Sequence, residues 1–183
     1  MPHEAPVYEE RYRWTRNSAI ALAVCSVALL LGIAPTVSLL MRVVLVPIGG
    51  AGAFLCVIVP TSRKVALRVD ADGITLGGNP LRYKATTRVV PWHEVEGVFL
   101  WRREPGNVRY LGVERAADAP PLTPGGTGKA DQIRLYLAPD PPVPALALKV
   151  GVTRGMQAFT VDDARLSDAV AHYAPDVSVV DLD

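Results

Sequence analysis

The sequence predicts an α+β chain: a pair of apolar helices, then a small β-rich domain of about seven strands that ends on one amphipathic helix. Three observations carry that prediction. Residues 18–34 and 39–59 are apolar runs holding a single charge between them, Arg42. From Val65 onward, apolar residues recur at every second position in short runs broken by Gly, Pro and Asn, the pattern of strands and tight turns. Beyond Asp163 the period changes, with Leu166, Val170 and Tyr173 spaced by four and three.

Residues 1–17 are polar, mixed in charge and too short to fold alone, so they are expected to be a cytoplasmic lead-in, with an amphipathic stub over residues 9–16 as an option. The first apolar run, SAIALAVCSVALLLGIA, has 17 residues and spans about 25 Å as a helix, enough to cross a bilayer core. The second run, LLMRVVLVPIGGAGAFLCVIV, carries Arg42 near its loop end, where the side chain can snorkel to the headgroups. Pro47 interrupts it, and Gly49, Gly50, Gly52 and Ala53 follow. Small residues let helices approach closely in lipid, so Gly49/Ala53 and Ala19/Ala23 are expected to form a packing seam within the hairpin. Residues 18–60 are thus read as a transmembrane hairpin broken at residues 35–38. A cleaved signal peptide also begins with a basic region and an apolar run, but here a second apolar run follows at once and the first is long for such a peptide.

Arg11, Arg13 and Arg16 precede the hairpin, and Arg63, Lys64 and Arg68 follow it, with Arg42 alone between the runs. Basic residues favour the cytoplasmic side, so both termini and the domain are expected in the cytoplasm, at the inner face of the plasma membrane.

Residues 61–183 are long enough for one domain with its own core. They contain fifteen Lys and Arg against fifteen Asp and Glu, so no global field recruits nucleic acid or anionic lipid, and any electrostatic partner must meet a local patch. Cys25 and Cys56 both lie in the apolar runs and read as small helix- or lipid-facing residues. Val65, Leu67 and Val69 alternate with more polar neighbours, Asp72-Gly73 supplies a turn, and Ile74 and Leu76 resume the alternation, which predicts a β-hairpin. Residues 81–87 read as a loop. A short strand then meets Pro91-Trp92, a tight corner over His93-Glu94-Val95-Glu96-Gly97, and a further strand. A turn is expected at Pro105-Gly106-Asn107, and strands at 108–113, 133–137, 145–152 and 157–161. Residues 116–130 are rich in Pro and Gly and read as a flexible loop. Asp162 or Asp163 is positioned to cap the last helix, and Pro175 to end it.

The hairpin with its Asp72-Gly73-Ile74 turn and the segment Val90-Pro91-Trp92-His93-Glu94-Val95-Glu96-Gly97-Val98 resemble the bacterial PH-like domains carried behind one or two membrane helices in small actinobacterial proteins, including the low-molecular-weight antigen type. The resemblance covers residues 63–100 by motif and the remainder by element order. It implies a bent seven-stranded barrel plugged by a C-terminal helix, with Trp92, Glu94, Val95 and Gly97 as its fold motif. Independently of the resemblance, Trp92 and Val95 are expected in the core, and Gly97 at a backbone turn that a Cβ would hinder. Phosphoinositide binding by PH domains uses basic residues in the first hairpin turn. Here that turn is Asp70-Ala71-Asp72-Gly73, so that activity is not implied.

No catalytic, cofactor or metal constellation emerges. His93-Glu94 lacks the second His that a zinc-protease helix requires, since position 97 is Gly. Residues 125–130, GGTGKA, echo a phosphate loop, but Thr123 stands where its first Gly belongs and Ala130 where its hydroxyl belongs. His3, His93 and His172 share no ligand spacing. The chain reads as non-enzymatic, without cofactor or small-molecule substrate.

Geometry favours the membrane surface. Val65 lies six residues beyond Val59, at most about 20 Å away, so a domain with a radius of gyration of about 14 Å must lie against the bilayer. Arg82, Lys84 and Arg88 in one cluster, and Arg102, Arg103 and Arg109 in another, are therefore the candidate lipid-headgroup contacts; a solvated charged rim is the alternative. Two function classes follow: a tethered module for protein interaction, self-association or inner-leaflet contact, or an accessory subunit acting through Pro47 and the hairpin glycines.

Overall fold

The computed structural model describes residues 7–103, 108–116, 118–119, 150–156 and 158–182. It is an α+β protein in which two apolar helices are inserted between the first and second strands of a sheet.

Helix α1 (Arg16–Ile33) starts at Thr15, whose hydroxyl accepts from the Ser18 backbone while the Ser18 hydroxyl accepts from the Thr15 backbone, a reciprocal cap of the first turn. Helix α2 (Leu39–Thr61) continues through Pro47. Both are long and apolar enough to cross a membrane, at about 27 Å and about 34 Å. Only 11% of the most apolar stretch of either helix is buried, unlike a core helix of a soluble protein. Ile20, Val24, Val27, Leu40, Val43 and Phe54 are among the apolar side chains left facing outward.

The first sheet is antiparallel, in the order β1 (Tyr8–Arg11), β2 (Val65–Asp70), β3 (Gly73–Leu76), β4 (Arg88–Val90). The β2–β3 hairpin forms as its turn signal requires, with Asp70 opposite Gly73; Gly73 has φ 139°, a conformation that a side chain would strain. The second sheet runs β7 (Val150–Gly155), β6 (Val108–Arg115), β5 (Val95–Arg103), β8 (Ser178–Asp181), with β8 parallel to β5. Between β3 and β4 the chain makes a 3-10 turn (Pro80–Arg82) and a one-turn helix, α3 (Tyr83–Thr86), where the sequence suggested only a loop. Helix α4 (Asp163–Tyr173), capped by the Asp162 side chain on the Arg165 backbone N–H, packs on β1, β2 and β8. Leu166 and Val170 are thereby buried with Leu67, Val69, Ile74, Val98, Leu100 and Leu111 in one core between the sheets.

Four expectations are revised, the first being the strand expected at 157–161, of which residues 158–161 form none. The lead-in is a strand in part: Tyr8–Arg11 pairs with β2 from Tyr8↔Val69 to Arg11↔Val65, and Tyr8 is buried. The helix is not the last element, because β8 follows it and is held by Arg109, whose guanidinium bridges Asp181 at 2.5 Å and Asp163 at 2.8 Å. Among the described residues the strands form two separate four-stranded sheets and are not closed into one barrel. The strand expected at 133–137, most of that at 145–152, the turn at 105–107 and most of the loop at 116–130 lie outside the described residues.

Candidate membrane-proximal site

Both ends of the helical hairpin enter the same sheet. Four residues separate β1 from α1 and three separate α2 from β2, and the two connections are hydrogen-bonded to each other and to the domain. The Tyr12 backbone N–H donates to the Lys64 carbonyl at 2.9 Å, and the Arg13 N–H to the Ala158 carbonyl at 2.7 Å. The Tyr12 hydroxyl is shared between the carbonyls of Gly77 and Gly78, and its ring meets Phe159 edge-on. Arg13 also bonds the Thr160 hydroxyl. The domain is therefore mounted on the helices at two points.

Residues 80–86 sit at the exit of α2. The Pro80–Arg82 turn contacts α2, whose Pro60 is buried. Lys64 Nζ donates to the Pro80 carbonyl at 2.7 Å and lies over the Tyr83 ring, and the Tyr83 hydroxyl donates to the Val65 carbonyl at 2.8 Å. Burial pushes the Tyr83 phenol above its ordinary pKa. Fixed in this way, the lobe exposes Leu81, Arg82 and Lys84, and no acidic residue occurs anywhere in 77–93. Arg88 is drawn inward, its guanidinium donating to the carbonyls of Ala85 and Thr87. Arg63, immediately after α2, has φ 51°, a left-handed conformation in which an arginine is strained and a glycine would not be.

The other predicted basic cluster does not share this place. Arg109 is committed to Asp163 and Asp181, which corrects its assignment to lipid, and Arg102 lies opposite it in the second sheet. The side chain of Arg103 falls outside the described residues. Arg42 also departs from expectation: its guanidinium folds onto the carbonyls of Ala34 and Val37, at 2.9 and 3.1 Å, and closes the helix-helix loop.

The seam of the hairpin is built on glycine, but not on the full set expected. A Cβ on Gly49 would stand 2.7 Å from the Leu29 nitrogen and 2.9 Å from the Cys25 carbonyl oxygen, and one on Gly52 would stand 2.6 Å from Cys25 Sγ. Gly32, which the sequence reading passed over, meets Leu45 and Val46 in the same way. Gly50 faces open space, 4.0 Å from its first neighbour.

The fold motif is structural. Trp92 Nε1 donates to the Asp70 carbonyl at 2.8 Å, and the indole stacks on Tyr173, tying the β2–β3 turn to α4. Trp92 is only partly buried, whereas Val95 is in the core. Glu94, also buried, accepts from Arg115 at 2.5 and 3.1 Å. Gly97 lies within β5, beside a register shift, where a Cβ would press to 3.1 Å on the Phe99 ring; close packing in a strand, rather than a turn, requires it. Among the described residues no three His, Cys, Asp or Glu side chains gather as a metal site. Comparison with family models, curated proteins and solved structures gives no match.

Proposed function

We propose that the chain is a non-enzymatic, membrane-anchored module. Its helices cross the plasma membrane as a hairpin with both termini in the cytoplasm, and its β domain, a PH-like module, lies flush on the inner leaflet as a platform for a protein partner or a second copy. The observation that carries this reading is the double mounting: β1 and β2 flank the hairpin and pair with each other. A single flexible tether would let the domain wander, whereas two hydrogen-bonded connections hold one face of it at the helix ends. The Asp72-Gly73 hairpin and the Trp92 corner support the PH-like part of the reading.

The accessory-subunit reading is less well supported, since Gly49 and Gly52 face α1 rather than outward. An unrelated two-helix hairpin exchanged for residues 18–60, followed by crosslinking in native membranes, separates the two. The platform reading expects the same crosslinked partner from parent and exchanged chain. Loss of that partner, with the exchanged chain still folded and membrane-bound, would favour the accessory reading.

A further inference from the structure

We infer that the lobe at residues 80–84 is an anionic-lipid contact that sets Leu81 into the headgroup layer beside the exit of α2. The inference rests on the proposed membrane-anchored reading and adds to it the chemistry of the surface being read.

Three features of the lobe point to that occupant. The first is position: the Pro80–Arg82 turn lies against the C-terminal end of α2, where the apolar helix meets the polar domain. The second is restraint, because Lys64 and Tyr83 bond the lobe to the chain leaving the helix and so keep it beside that boundary. The third is chemistry. Leu81 is 49% exposed and is followed by two exposed cations, Arg82 and Lys84, an apolar side chain beside charge as in an interfacial contact.

Arg63 adds a further cation at the same boundary, held in a conformation where glycine would be less strained. The carboxylate of Glu9, near enough to act on the Tyr83 phenol, is already paired with Arg11 at 2.7 Å and lies 3.9 Å from Arg68. Among the described residues no ion pair engages Arg63, Arg82 or Lys84; a phosphodiester headgroup would supply an anion for them, and the acyl boundary below it an apolar environment for Leu81.

The test uses the full chain with Cys25→Ala and Cys56→Ala, reconstituted in nanodiscs of equimolar phosphatidylcholine and phosphatidylglycerol. Single nitroxide labels are placed through Leu81→Cys, Val27→Cys and Asp181→Cys, and their accessibility to oxygen and to a water-soluble nickel chelate is measured. The expected result is a deep signal at Val27, an interfacial signal at Leu81 and a solvent signal at Asp181. Arg82→Ala with Lys84→Ala should lower the docking equilibrium constant roughly thirty-fold and shift the Leu81 label toward the solvent value. Phosphatidylcholine discs should weaken docking likewise, while excess inorganic phosphate at matched ionic strength should not release it.

A Leu81 label as chelate-exposed as the Asp181 label would overturn the inference and leave the anchored reading intact, provided the Val27 label stays deep. A chelate-exposed Val27 label would instead sink the anchored reading itself. Docking equal in neutral discs, or released by free phosphate, would overturn the assignment to anionic lipid.

Discussion

Gly49→Ala should loosen the helical hairpin, and the structure sets the size of the effect. The added methyl would stand 2.7 Å from the Leu29 nitrogen, 2.9 Å from the Cys25 oxygen and 3.0 Å from the Leu29 Cα, where ordinary contact begins near 3.4 Å. All three neighbours are backbone, so no rotamer change relieves them, and the helices must part by about 0.5–0.7 Å. That movement also opens the Gly32 and Gly52 contacts. Overpacking of this kind costs about 1–3 kcal/mol, and the better helix propensity of alanine returns at most about 1 kcal/mol. The net expectation is destabilisation by about 1–2 kcal/mol. Gly50→Ala is the matched control: its first neighbour is 4.0 Å away, so alanine there should be neutral or stabilising by up to about 1 kcal/mol. Reversible SDS titration of the full chain in mixed micelles, followed by far-UV circular dichroism, measures both. If Gly49→Ala proves as stable as the parent, or more stable than Gly50→Ala, the seam is wrongly drawn.

Trp92→Phe keeps an aromatic ring but removes the pyrrole ring and its 2.8 Å bond to the Asp70 carbonyl, and should lower stability by about 1 kcal/mol or more in a thermal melt of the full chain. Arg115→Met strands the buried Glu94 carboxylate, a loss of about 3 kcal/mol or more, and Glu94→Gln added to it should restore most of that; a double variant no better than the single one would contradict the pairing. The Tyr8 phenol, buried and accepting from the Asp162 backbone N–H, is pushed up from 10.0 to about 12 chiefly by burial. A raised pKa means that the folded state holds this proton more tightly than the unfolded chain does. The stabilisation is therefore complete below pH 10.0 and is lost as pH rises from there to about 12. Tyr8→Phe should flatten that part of the stability profile, and an unchanged profile would count against the assignment.

What was legible in the sequence is what local pattern encodes. Two apolar runs gave both helices to within two residues at each end, and Asp72-Gly73 gave the β2–β3 hairpin. Strand β1 was not legible: Tyr8–Arg11 is polar at three of four positions, and its partner β2 lies beyond the entire helical insertion. Strand β8 was missed for a related reason, since four residues after a helix terminator form a strand only because β5 offers a parallel edge. At the candidate site, charge alone could not separate two arginine clusters. Arg109 finds its carboxylates 54 and 72 residues away, a pairing no local window contains, while Arg82 and Lys84 stay exposed because α3 and Lys64 fix the lobe on α2.

In the proposed arrangement the two helices cross a bilayer and the β domain lies on its cytoplasmic side. Labelling in intact cells with a membrane-impermeant maleimide tests it most directly, using the chain with Cys25→Ala and Cys56→Ala and one added cysteine, at Thr36 in the helix-helix turn or at Asp181 in β8. The account predicts that the Thr36→Cys chain reacts in intact cells and the Asp181→Cys chain only after lysis. Equal reactivity of the two sites in intact cells, or protection of both, would contradict it.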